Sequence, residues 1–335
     1  MSVYLSAPGM LSPCASSLAT LGQAGAAAAP GQAWFDARQH LGQRKIRYLS
    51  RATRYLLAAA GQTMQTAGAR FAALPEHRKG VIVGTNFADY AVRSEFDQVL
   101  LRQGSGALSS AQAPNMSVNM PAAQTAIDYG CGAVCTTLTS SATAGIEAIV
   151  YAGNALRRGQ ADALLVGSCE DNGDDGEGTP LLPHVLGGSS TFAAWTAATP
   201  PEAGAHKLAG WHWRRYPAAA LADPARGPAL RAAFGAAMAG LLGAGAAPID
   251  VLWSGPPDAD PHLKAGLAQA LAGAAIDHRM LALPPALAHS FAGCNAHMLA
   301  LQFALLTSSR ALLFVATQAL GSVVVLYLTP TNHLT

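Results

Sequence analysis

The chain has 335 residues, with 21 Lys and Arg against 19 Asp and Glu, a formal net charge of +2. Charged residues make up 12% of it, where an average soluble protein carries about 25%, and hydrophobic residues make up 51%. This balance excludes an intrinsically disordered chain, a nucleic-acid binder working through a basic face and a polybasic membrane-surface protein. It describes one or two heavily buried domains whose thin cover of charge leaves apolar surface for another subunit.

In chain order, residues 2–8 suggest a strand, residues 46–67 carry helical periodicity, and residues 81–85 form a short apolar run stopped by glycine, the mark of a buried strand. The alternation repeats as a strand at 136–139, a helix at 143–158 and a strand at 163–166, which is the grammar of an α/β fold. The acidic, glycine-rich stretch 170–178 has Leu182 where a calcium loop counted from Asp171 needs a bidentate Glu, so it is expected to be a solvated loop. Segment 199–230, rich in Pro, Ala and Gly, is expected to separate two halves, 1–205 and 206–335. The second half offers a helix at 227–242, a strand at 248–253, a helix at 260–272, a strand at 280–283 and a helix after His289. The apolar stretch 311–328 is interrupted by Thr317, Gln318, Gly321 and Ser322 and is expected to be two buried strands rather than a membrane span.

Five cysteines, Cys14, Cys131, Cys135, Cys169 and Cys294, make no disulfide framework and point to a reduced cytoplasm. The first residues lack the basic flank and apolar stretch of a secretory signal. Cys131 and Cys135 are expected to be small buried hydrophobes, and Cys294 with His297 is a lone Cys-x-x-His, so no metal or cofactor is expected. His212 between Trp211 and Trp213 is expected on a strand with packed indoles.

Segment 115–170 resembles the nucleophile region of the β-ketoacyl synthases: Asn119, Pro121, Ala122, Gly145, Ala148, Ile149, Gly159, Ala161, Asp162, Gly167 and Glu170 fall on that pattern without a gap. Residues 81–85 resemble the family's early Val-Gly-Val-x-x-Gly-Thr strand, and 288–293 its Gly-His-x-x-Gly-Ala turn. Gly255, Asp260 and Pro261 look like remnants of a His-Gly-Thr-Gly-Thr segment. The resemblance implies a thiolase-like, five-layered αβαβα fold of two similar halves.

It also implies where chemistry is lost. The family's catalytic Cys position is Ala142, and a methyl group carries no thioester. The lost histidine falls near Ser254, the family's Lys position is Pro284, and His289 alone is retained. Such a chain resembles the chain length factors, inactive subunits that pair with an active ketosynthase in type II polyketide and polyene systems. The resemblance then implies a ketosynthase partner, an acyl carrier protein and a growing acyl chain in an interface tunnel. Tunnel or interface candidates are Met116, Met120, Thr136, Leu138, Ser140, Ser141 and Ala142; carrier-binding candidates are Arg157 and Arg158. Two other readings stay open, an acyl-transfer enzyme of the same fold with a relocated Ser or Cys nucleophile, and a homodimeric protein that binds an acyl carrier or an apolar ligand.

Overall fold

The computed structural model describes residues 1–15, 17–21, 34–42, 46, 48–173, 181–182, 184–216, 225–243, 247–256, 261–287, 293–318 and 321–331. The first half runs β1 (Ser2–Leu11), α1 (Leu18–Leu21), α2 (Ala37–Leu41), α3 (Arg51–Ala72), β2 (Lys79–Gly84), α4 (Tyr90–Gln103), α5 (Met120–Asp128), β3 (Cys135–Leu138), α6 (Ala144–Arg157), β4 (Ala163–Glu170) and β5 (Gly188–Ala197). The second runs β6 (His206–Arg215), α7 (Gly227–Leu242), β7 (Ile249–Ser254), α8 (Pro261–Gly273), β8 (His278–Met280), α9 (Cys294–Thr307), β9 (Ala311–Thr317) and β10 (Ser322–Pro330).

Strands lie side by side as β3-β2-β4-β5-β1 and then β6-β10-β9-β7-β8. Read outward from the middle, the two five-strand sets share one order and one sense. The two strands nearest the middle pair antiparallel, as do the second and third, and the outer three pair parallel. Among the described residues only Tyr4↔Lys207 and Leu5↔His206 join the sets. Each set is sandwiched. One apolar core lies between α3, α5 and the first sheet, a second between the two sheets around α6 and α9, and a third between the second sheet and α7 and α8. The result is the five-layered αβαβα arrangement. Eleven of the fourteen residues of α6 are buried, as a helix covered on all sides requires.

Local chemistry sets several boundaries. The first helix of the sequence reading, α3, starts at Arg51 rather than 46, because Ser50 adopts extended backbone and its hydroxyl accepts the Thr53 N–H at 3.2 Å. The small residues Ala52, Ala59, Ala60 and Ala67 let α3 lie close on the sheet: a Cβ on Gly9 of β1 would stand 2.2 Å from the Ala59 carbonyl oxygen.

The strand expected around His212 is β6, ten residues long within the segment 199–230 and paired along its length with β10. Two expectations are corrected. The start of the acidic stretch is not solvated, since Glu170 and Asp171 are both buried. The strand expected at 280–283 lies at His278–Met280. β5 had no signal in the sequence reading, because its buried Ser189, Ser190 and Thr191 read as loop residues. Their hydroxyls are bonded to Ser168 O at 2.6 Å, Asn295 Oδ1 at 2.8 Å and Thr63 Oγ1 at 2.7 Å. No helix among the described residues is long and apolar enough to cross a membrane.

Candidate functional site: the turn before α6

Two glycines place this turn. A Cβ on Gly84, at the end of β2, would stand 2.2 Å from the Ala144 carbonyl carbon, so the first turn of α6 rests directly on that strand. A Cβ on Gly145 would stand 2.7 Å from Met298 Cγ and 3.0 Å from Ser168 Cβ, which packs the same turn against α9 and β4. Ala142 immediately precedes this helix and is 7% exposed.

Behind Ala142 lies a buried carboxylate. Glu147, 1% exposed, accepts hydrogen bonds from Ser141 Oγ at 3.1 Å, Thr143 Oγ1 at 2.7 Å and Ser322 Oγ at 3.0 Å, and a short one from Ser140 Oγ. The serines and threonine that a relocated nucleophile would draw on are therefore oriented into one acceptor. Across the turn, Gln318 Oε1 accepts the Ala142 N–H at 3.3 Å. Strand parity puts it there. In β9 Leu312, Phe314 and Ala316 face the central layer, and Gln318 continues that series just past the strand's end. Its backbone is fixed by N–H donation to Ser322 O at 3.2 Å and by acceptance from Gly321 N–H at 3.0 Å.

A second buried acid ties the halves together. Glu170 accepts the Thr85 hydroxyl at 3.1 Å, the Phe87 N–H at 2.8 Å and the Cys294 N–H at 2.8 Å at the start of α9. Burial raises its pKa, and these N–H donors hold the rise back. No cysteine is tuned as a nucleophile. Burial pushes the thiol pKa up at all five, to about 12 at Cys131 and well above the usual value at Cys169 and Cys294. The Cys294 thiol donates to Ser141 O at 3.3 Å. Cys135 is exposed on the edge strand β3, not buried as expected.

Ser254, where the sequence reading found no histidine, does face one. Its hydroxyl meets His297 Nδ1 of α9 at 2.8 Å, and burial lowers the His297 pKa to about 3. The imidazole is neutral at physiological pH and fully enclosed. Pro284 is buried and supplies only a carbonyl, which accepts the Leu287 N–H at 2.9 Å. His289 lies outside the described residues, as does Asp260. His262 packs its ring against Gly227 in the outer layer, away from the turn. Among the described residues no three His, Cys, Asp or Glu side chains gather to hold a metal.

The remaining candidates lie just before and at the start of α5, on and after β3, and at the C-terminal end of α6. Met116 borders an open groove of about 400 Å³ with Phe96, Leu100 and Leu108, and Met120 opens α5. Thr136 and Leu138 are half-buried on β3, whose outer edge pairs with no strand among the described residues, and Ser140 is exposed beside it. Arg157 stacks over the Trp211 ring at 3.9 Å, while Arg158 caps α6 exposed. The aromatic cluster is on β6 as expected, with His212 against Phe234 at 6.1 Å.

Residues 12–177 match the family model described as beta-ketoacyl synthase, N-terminal domain. Among curated proteins, the chain is 26% identical to chloroplastic 3-oxoacyl-[acyl-carrier-protein] synthase I of Arabidopsis thaliana over 46% of its length. It is 27% identical to 3-oxoacyl-[acyl-carrier-protein] synthase 2 of Synechocystis over 41%. These matches span about a third of those relatives, 32% and 33%. Solved structures similar in fold include a type II polyketide acyl carrier protein in complex with its ketosynthase bound to the hexaketide (TM-score 0.79, 16% identity, 98% of this chain and 99% of that one). Another is the ishigamide ketosynthase/chain length factor (TM-score 0.73, 20% identity, 99% of this chain and 100% of that one). The chain has the fold of these ketosynthases, and its residues 12–177 are similar to the N-terminal domain of the beta-ketoacyl synthases.

Proposed function

We propose that this chain is the non-catalytic, chain-length-factor-type subunit of a type II polyketide or polyene ketosynthase, working in the cytoplasm beside an active ketosynthase and an acyl carrier protein. The observation that carries this is the buried methyl of Ala142 at the turn into α6, with its N–H already bonded to Gln318 and the neighbouring hydroxyls directed into Glu147. A condensing enzyme needs a thiolate here and backbone N–H donors for the developing oxyanion; this turn has no thiol, and the Ala142 N–H is already taken by Gln318. Raised thiol pKa values at the five cysteines weigh against a relocated sulfur nucleophile.

Support for a partner comes from the surface running from α4 through α5 to β3. No residue of α4 is buried, Leu100 and Leu101 are 46% and 84% exposed, and Ile127 of α5 is 71% exposed. An unpaired strand edge beside exposed apolar side chains invites pairing with another chain. A ketosynthase of the same fold, which presents an equivalent edge, fits it. An acyl chain entering between the two is limited by side-chain walls such as Met116 and Met120: each buried methylene gains about 0.8 kcal/mol until the wall is met, after which overpacking costs roughly 1–3 kcal/mol. Arg158, exposed at the end of α6, is the cation we assign to an acidic carrier.

Co-production with a ketosynthase sought among its genomic neighbours tests the reading. A one-to-one complex that survives gel filtration, with the chain aggregating when made alone, is expected. A stable homodimer with no affinity for that ketosynthase contradicts it.

A further inference from the structure

Gln318 is 7% exposed, and its carboxamide is only half used. The oxygen takes the Ala142 N–H, which fixes the orientation of the amide, because the flipped form would set two donors against each other. The nitrogen, with two N–H donors, has no acceptor among the described residues. A buried donor left unmade is costly, and native structures keep such groups for a reason. This one stands at the N-terminus of a fourteen-residue helix, where backbone dipoles also favour an incoming oxygen. The neighbouring Glu147 carboxylate sets the sign of what can bind: it repels a second carboxylate and leaves a neutral carbonyl as the fitting acceptor.

We infer that Gln318 forms a non-covalent subsite for a neutral carbonyl oxygen, the ketone or thioester group of an acyl chain, at the position where relatives attach that chain covalently. The side chain arrives from the β9–β10 turn, not from the helix that carries the nucleophile in the resembling family. The subsite holds a carbonyl in register without reacting with it, and it discriminates against a malonyl carboxylate. This rests on the proposed role as an acyl-chain-contacting subunit, and complex formation is scored separately from ligand binding.

The test uses the full chain in complex with its co-purified ketosynthase, the latter carrying Ala in place of its catalytic Cys so that nothing is acylated. Calorimetry at pH 8 compares acetoacetyl-pantetheine, malonyl-pantetheine and pantetheine with wild type and with Gln318→Glu, which keeps an oxygen for the Ala142 N–H and replaces the two amide N–H donors with a carboxyl oxygen. Acetoacetyl-pantetheine is expected to bind about tenfold more weakly to Gln318→Glu, with pantetheine unchanged. In wild type, malonyl-pantetheine is expected to bind no better than pantetheine, a comparison that stands even where the variant does not fold. Equal affinity of wild type and Gln318→Glu for acetoacetyl-pantetheine, or malonyl binding as tight as acetoacetyl, overturns the subsite while leaving the subunit role intact. Failure of the complex to form overturns the role instead.

Discussion

His297 gives a prediction whose sign and size follow from its surroundings. The ring is fully buried in α9 with Nδ1 on the Ser254 hydroxyl, and burial lowers its pKa from 6.5 to about 3. In the unfolded chain an ordinary histidine begins to take up a proton below about pH 6.5, while the folded one stays neutral until about pH 3. The unfolded state therefore binds more protons across this window, and stability falls as pH falls. At about 1.4 kcal/mol per pH unit, roughly 2 kcal/mol is lost on going from pH 6.5 to pH 5 from this one residue. His297→Gln keeps a partner for Ser254 and does not titrate. Urea unfolding of the assembled protein at pH 7 and at pH 5 is expected to show wild type losing about 2 kcal/mol more than the variant. Equal losses, or a histidine titration near pH 6.5 assigned to His297 by NMR, would refute the reasoning. The second result would also restore this imidazole as an acid or base beside Ser254, a role that enclosure denies it here.

Two further outcomes test how the turn is held. Glu147→Gln replaces an acceptor with a donor among the hydroxyls of Ser141, Thr143 and Ser322, so about 2–4 kcal/mol of stability is expected to be lost, read as a lower urea midpoint with an unchanged slope; a change under about 0.5 kcal/mol would mean those bonds are not formed. Gly84→Ala pushes a methyl to 2.2 Å from the Ala144 carbonyl carbon, against backbone that has no room to shift, and is expected to leave the chain insoluble or at least about 3 kcal/mol less stable, where wild-type yield and melting would show that α6 does not rest on β2.

Much of the frame was legible in the sequence because it depends on short-range pattern. The glycine that ends β2, the helix 227–242 and the paired strands within 311–328 appear where periodicity and punctuation put them, and the spacing from Asn119 to Glu170 places Ala142 at the head of α6. Buried hydroxyls were the main obstacle. Ser189, Ser190 and Thr191 make β5 look like loop, yet each is satisfied by a partner more than twenty residues away that no local pattern announces. The site's environment was invisible for the same reason: Gln318 reaches Ala142 across 176 residues, and Ser322 reaches Glu147 across 175. Ser254 shows the limit most plainly. A search along the chain found no histidine beside it, while the fold supplies His297 from the facing helix. Parity along β7 and the register of α9 would have been the signal, since Leu252 and Ser254 share the face turned to the central layer.

The most direct measurement is intact-mass spectrometry of the purified pair after exposure to an acylated carrier protein. The account predicts an acyl adduct on the ketosynthase and an unchanged mass for this chain. An acyl mass on this chain, mapped to Ser140, Ser141 or any of its cysteines and turning over with product, would contradict it.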